Sequence, residues 1–271
     1  LRRGCAAHGG DEFGIRLGAH LLGARQHPAF GIQQDQRAAV VELAVRELPV
    51  AHAEHRGDAA HVVRLRRQQG PAPAVQLAPV DLPKLIEKRR TLRRYAPDPL
   101  TLAELSYLLW ATQGVKFVTP RPVTLRTVPS AGARHAFETL LLINRVEGVE
   151  PGLYHYAALQ HKLAVVTREP DIAARLTAAC LDQPHVSNSA VTFAWVAVAE
   201  RMTWRYGLRG YRYLHLDAGH VCQNLYLAAE SIGCGVCALA AFDDRAVNEV
   251  LGVDGESQFA IYFATVGRRE A

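Results

Sequence analysis

The chain has 271 residues, 49% of them hydrophobic, so it can bury a sizeable core; its formal charge of +5 is too modest to single out nucleic acid as a partner. Five cysteines, an odd number, do not read as a disulfide framework, and no apolar run reaches the length of a bilayer span. Reduced thiols, a cytoplasmic location and no membrane partner are therefore expected.

The first 80 residues are rich in Ala, Arg, Gln and His, hold six of the twelve histidines, and show little amphipathic periodicity. They read as a poorly ordered N-terminal extension with one conceivable helix at 38–48, and the proline-rich stretch from Gly70 to Pro83 reads as a linker. The first residue is Leu1 and the sole methionine is Met202, as expected either of a fragment or of an extension upstream of the true start, ahead of one domain at 83–271.

Order is expected from about Leu82. Thr101-Leu102-Ala103-Glu104 is a capping box, and Leu105, Leu108, Leu109 and a terminal Gly114 complete a short buried helix. Strands are expected at 138–144, 190–199 and 259–266, with a hairpin formed by 152–156 and 162–167 around the turn at 157–161. Helices are expected at 171–181 and from Asp243 to near Gly252. The strongest signal lies at 213–232, where Leu214, Ala218, Val221, Leu225, Ala228, Ala229 and Ile232 recur at three-and-four spacing. Gly233 then closes this helix in a left-handed conformation, and Gly235 is assigned to the turn behind it. The small side chains of 236–242 suit close approach to a flat ligand, while Ala218 and Gly219 leave room for a second helix at a subunit contact. Helices and strands alternate without repeats, which gives an α+β or mixed α/β class.

Two segments carry polar chemistry. Arg89-Arg90-Thr91-Leu92-Arg93-Arg94 sets guanidinium forks beside a hydroxyl, a donor set suited to phosphate, although a basic run taken alone is more often a solvated face. Pro129-Ser130-Ala131-Gly132 is a rigid loop leading into a strand, a ligand wall or an ordinary turn. Three other patterns are set aside. Gly233-x-Gly235-x-x-Ala238 follows a helix instead of joining a strand to one; Cys234-x-x-Cys237 does not open a helix; and adding His220 and Cys222 gives no regular zinc spacing, so no metal is expected. From Arg201 to Tyr213, arginines interleave with rings as in a single-strand nucleic-acid platform, a non-enzymatic alternative without an accompanying RNA-binding signature.

Taken in order, the basic entry segment, Pro129-Ser130-Ala131-Gly132, Gly152-Leu153-Tyr154-His155-Tyr156, the run from Tyr206 to Tyr213, Asp217-Ala218-Gly219-His220-x-x-Gln223-Asn224 and Val266-Gly267-Arg268 resemble the nitroreductase superfamily. Within it the chain is most similar to the SagB-type dehydrogenases, over about residues 83–269. The resemblance implies an α+β FMN-binding fold with a mixed sheet flanked by helices, and a homodimer holding FMN at its interface. It assigns Arg89, Arg90 and Thr91 to the phosphate and ribityl side, Arg93 to the pyrimidine edge, and Arg268 to the phosphate. Ser130, Ala131 and Gly132 become the loop contributed by the other subunit, and Ala238, Leu239, Ala240 and Ala241 the segment lining the ring.

Peptide azoline oxidases of this kind carry Lys-Tyr where this chain has Arg205-Tyr206. Arg stays protonated, so Arg205 is not a base, whereas Tyr206 remains a candidate proton donor or relay. The functional expectation is thus hydride transfer through flavin N5. It acts either as a dehydrogenase on azoline rings of a modified peptide or as an NAD(P)H-dependent reductase of nitro or activated-alkene groups.

Overall fold

The computed structural model describes residues 62–65, 80–120 and 123–270; the expected helix at 38–48 and most of the 70–83 linker lie outside them. In chain order the elements are β1 (Val62–Arg64), α1 (Leu82–Lys88), α2 (Leu102–Gln113), β2 (Val115–Val118), β3 (Thr124–Arg126), β4 (Phe137–Ile143), β5 (Gly152–Ala157), β6 (Lys162–Thr167), α3 (Ile172–Ala179), α4 (His185–Asn188), β7 (Val191–Val198), α5 (Glu200–Tyr206), α6 (Gly210–Ser231), β8 (Cys234–Leu239), α7 (Asp244–Leu251) and β9 (Gln258–Arg268). Among the described residues no helix is long and apolar enough to cross a membrane.

Seven strands form one sheet in the order β1-β6-β5-β4-β7-β9-β8, and β2 pairs with β3 in a separate hairpin. Every neighbouring pair in the large sheet is antiparallel. This corrects the expected mixed sheet. Short returns join β4 to β5 and β5 to β6, and an antiparallel return needs no crossover; among the described residues parallel geometry survives only as the isolated bridges Thr91–Val236 and Leu100–Val146. β1 also shows that part of the N-terminal 80 residues belongs to the fold, because Leu65 behind it is 3% exposed in the core.

The apolar residues 140–143 of β4 and the nearly continuous apolar run of β7 follow from burial on both faces. Leu141 and Ile143 join Leu105 and Leu108 of α2 and Leu214, Val221 and Leu225 of α6 on one side of the sheet. Leu140 and Leu142 point the other way, onto Leu176 of α3 and Val247 and Leu251 of α7. Period two in the strands and period 3.6 in the helices thus build three layers. At the start of α2 the Thr101 hydroxyl accepts from the Glu104 amide while the Glu104 carboxylate accepts from the Thr101 amide, completing the expected capping box. α6 ends at Ser231, and Gly233 follows with φ of 72°.

Gly235 does not belong to that turn. It lies within β8, and a Cβ there would sit 2.2 Å from Leu92 Cδ1. Its role is to let the entry segment lie flat on the sheet edge, where the Leu92 amide donates to the Val236 carbonyl at 2.9 Å. Tyr95 holds the same segment, its hydroxyl 2.7 Å from both the Leu92 carbonyl and the Thr265 hydroxyl.

Candidate active site

The sequence-predicted residues gather into two clusters. The first follows the outer edge of β8. Thr91 Oγ1 lies 3.1 Å from the Tyr226 hydroxyl, which accepts the Ala238 amide at 3.1 Å, and the Arg89 guanidinium stands 5.4 Å above the Tyr226 ring. Tyr226, on α6, therefore ties the basic loop to the small-residue strand. Burial raises the Cys237 thiol pKa, opposed by the charge and a hydrogen bond of Arg93, so Arg93 reaches the same edge. Ala238 is half-buried and Ala240 and Ala241 are exposed, but Leu239 turns its side chain into the α3/α7 core and can offer a ligand only backbone. The Ala241 carbonyl accepts from Gln183 at 2.8 Å, and Arg90 is exposed.

Arg268 is engaged elsewhere. Its guanidinium pairs with the Glu104 carboxylate of the capping box at 2.6 Å and donates to the Ile232 carbonyl at 3.3 Å. In this structure it ties β9 to the ends of α2 and α6, which sequence spacing did not reveal.

The second cluster surrounds the loop before β4. The Ala131 amide donates to both carboxylate oxygens of Asp217 at 3.2 Å, and the Ser130 hydroxyl accepts from the His135 amide at 2.9 Å. Gly132 has φ of 58°, and a Cβ there would lie 2.5 Å from the Tyr206 hydroxyl and 3.5 Å from Arg205 Nε. Glycine is thus required twice, for backbone and for space. Ala133 and His135 also adopt left-handed backbone, a concentration of strain of the kind retained at functional sites. The Tyr206 ring meets Tyr213 edge-on at 4.7 Å, Arg205 lies 5.5 Å over Tyr206, and Arg134 lies 5.2 Å over Trp204. Burial raises the Asp217 pKa against its hydrogen bonds from Ser130 and Ala131; burial, Arg126 and Arg134 hold the His135 imidazole down to about 3, so it is neutral at physiological pH.

A buried charge network supports this second cluster. Glu138 pairs with His155 at 2.9 Å and with Arg201, at the start of α5, at 2.5 Å. Burial pushes the Glu138 carboxyl up, but the His155 hydrogen bond and the charges of Arg201 and Arg126 outweigh it and bring the pKa to about 2. Arg201 is therefore interior, and the Arg–Tyr run from 201 to 213 is divided between core and surface.

One helix relates the clusters. Asp217 and Tyr226 are nine residues apart on α6, about 13 Å along its axis and about half a revolution around it. They flank the buried stripe of Leu214, Val221 and Leu225 on opposite sides. A separate open groove of about 560 Å³ lies between α1, α2 and α6, lined among others by Tyr107, Trp110 and Leu227; it contains none of the predicted site residues. Among the described residues no group of His, Cys, Asp and Glu is arranged to hold a metal.

The first edge fits the expected cofactor. Cationic forks and a hydroxyl suit a phosphate, and the adjoining small residues of β8 leave a flat surface for a ring. The Nitroreductase family model matches residues 86–268, which takes in both clusters. Two similar chains are putative nitroreductases by name. MJ1384 of Methanocaldococcus jannaschii is 36% identical over 190 residues, 70% of this chain and 92% of that one. A crystal structure from Anabaena variabilis superposes with a TM-score of 0.60 at 32% identity, covering 70% of this chain and 38% of that one. The trifolitoxin-processing protein TfxB of Rhizobium leguminosarum bv. trifolii is 29% identical over 177 residues, 64% of this chain and 47% of its own length. With the family matched across the sheet, the basic edge and the strained loop together, the chain belongs to the nitroreductase family and is a flavin oxidoreductase.

Proposed function

We propose that the chain is an FMN-dependent reductase of electron-poor substrates, working as a homodimer in which each active site combines the β8 edge of one copy with the Ser130–Gly132 loop of the other. The observation that carries this reading is the placement of the two clusters on opposite flanks of α6: a single flat ring cannot lie against both in one chain, but two copies can bring them together.

Bound FMN would supply a two-electron centre that takes and gives hydride. Arg89 and Thr91 would hold its phosphate side, and Arg93 would set a cation against the edge of its ring, where it would stabilise the reduced form. Across the interface Tyr206, its ring fixed on Tyr213 and its hydroxyl against Gly132, delivers a proton to the substrate. Arg205 and Arg134 keep that corner cationic and supply no base, which favours reduction over proton abstraction. A second reading, azoline oxidation in a modified peptide, is motivated by the similarity to TfxB.

The test combines the visible spectrum with both half-reactions. The expected results are a yellow protein, bleaching by NAD(P)H and reoxidation by a nitroaromatic, with Arg205→Lys retaining FMN and part of the activity. Rapid bleaching by a peptide azoline, with none by NAD(P)H, would establish the second reading; colourless protein would overturn both.

A further inference from the structure

We infer that Arg134 and Arg205, converging on Gly132 beside Trp204, form a binding subsite for an anionic oxygen group, a carboxylate or a phosphate, of the molecule that meets the flavin. The inference rests on the proposed reaction and names a chemical feature of its substrate or co-substrate.

The geometry comes first. Arg134 Nε donates to the Gly132 carbonyl at 2.9 Å, and Arg205 Nε lies 3.5 Å from the position a Gly132 Cβ would take. Two guanidiniums are thus brought to one glycine from opposite directions along the chain. Each covers an aromatic face, Arg134 over Trp204 and Arg205 over Tyr206, which holds each cation against a flat ring.

Neither cation is neutralised by any of the described residues. Among the described residues the ion pairs involve other groups, and no carboxylate lies within ion-pair distance of Arg134 or Arg205. The nearest acid of the cluster, Asp217, turns both oxygens toward the Ala131 amide. His135 is neutral near pH 7 and leaves the charge of the two arginines unchanged. The protein therefore holds two like charges together, a half-buried Arg134 on the strained loop and an exposed Arg205 on α5, and burial followed by repulsion from Arg205 lowers the Arg134 pKa. An anion between them would relieve that repulsion. The planar forks suit two-point contact with a carboxylate or phosphate. Trp204 is 45% exposed and supplies an apolar wall for the rest of the ligand.

Binding without turnover tests this directly. Calorimetric titrations of the holoprotein compare 4-nitrobenzoate with nitrobenzene, and the oxidised nucleotides NADP+ with NAD+, in the wild type and in Arg134→Gln, Arg134→Lys and Arg205→Gln. The expected result is that Arg134→Gln weakens 4-nitrobenzoate roughly tenfold or more, that nitrobenzene moves less than about twofold, and that Arg134→Lys recovers part of the loss. Selective weakening of NADP+ would place the 2′-phosphate in the subsite, and equal weakening of NADP+ and NAD+ the pyrophosphate; either upholds it. Unchanged affinities for all four probes in both Gln variants, with the flavin spectrum intact, would overturn it. Colourless protein that still bound 4-nitrobenzoate through Arg134 would refute the flavin reading and leave the subsite standing.

Discussion

The β8 edge and the Ser130–Gly132 corner are both drawn together by α6, but they are built in different ways. At the edge, regular structure does the positioning: Gly235 lets Leu92 lie on β8, Tyr95 pins the segment, and Tyr226 joins Thr91 to Ala238. The corner is irregular backbone, with left-handed residues at 132, 133 and 135, held by the buried carboxylate of Asp217 and backed by the Glu138 network. A preformed edge suits a ligand that stays bound. A strained corner held by charge suits the side that exchanges substrates, and the two should fail differently when perturbed.

The largest effect is expected at the corner's support. Glu138→Ala leaves Arg201, Arg126 and His155 without their shared anion, and removing one partner of a buried pair costs about 3–5 kcal/mol. Thermal unfolding should show a fall in Tm of roughly 10 °C or more. The wild type should lose the same contribution in acid. The folded Glu138 pKa lies at about 2, below its ordinary 4.5, so the stabilisation is full above 4.5 and disappears as pH falls toward 2. A Tm independent of pH across that window would remove Glu138 from this role.

At the edge the effect falls on binding. Arg89→Ala should weaken FMN by about 1.5–3 kcal/mol, while Arg94→Ala, at the far end of the same segment, should change it little; flavin fluorescence titration separates them. Equal losses would mean that the arginines act only as diffuse charge. Tyr226→Phe should have the smallest effect. It removes the hydroxyl shared by Thr91 and Ala238, and about 0.5–1.5 kcal/mol of FMN affinity should go with it, without a change in the pH dependence of turnover.

Where local pattern decides structure, the sequence was legible. The Thr101–Glu104 capping box, the α6 stripe and the β4 and β7 runs all have short-range causes. Strand direction was not, because an apolar run has no sense of direction, and the expected mixed sheet proved antiparallel. α5 was missed because Glu200–Tyr206 is polar and lacks an apolar period, and β1 because it sits in low-complexity surroundings. Distance in sequence explains the rest. Tyr226 meets Thr91 across 135 residues and Asp217 meets Ala131 across 86, so no window could show that these two residues organise the clusters. Gly235 is a turn glycine by local rules and a packing glycine once Leu92 is beside it. Arg268, a phosphate candidate by resemblance, is held by Glu104.

The central claim is that each site takes one half from each copy, and a mixed dimer tests it most directly. Chains carrying Arg89→Ala and Gly132→Ala, with different affinity tags, are co-expressed, the dimer containing both is purified, and nitroaromatic reduction is compared with that of each single-variant homodimer. A shared site puts both lesions in one active site and leaves the other intact, so the mixed dimer should recover about half of wild-type turnover. Turnover no higher than the mean of the two variant homodimers, or a wild type that stays monomeric, would contradict the account.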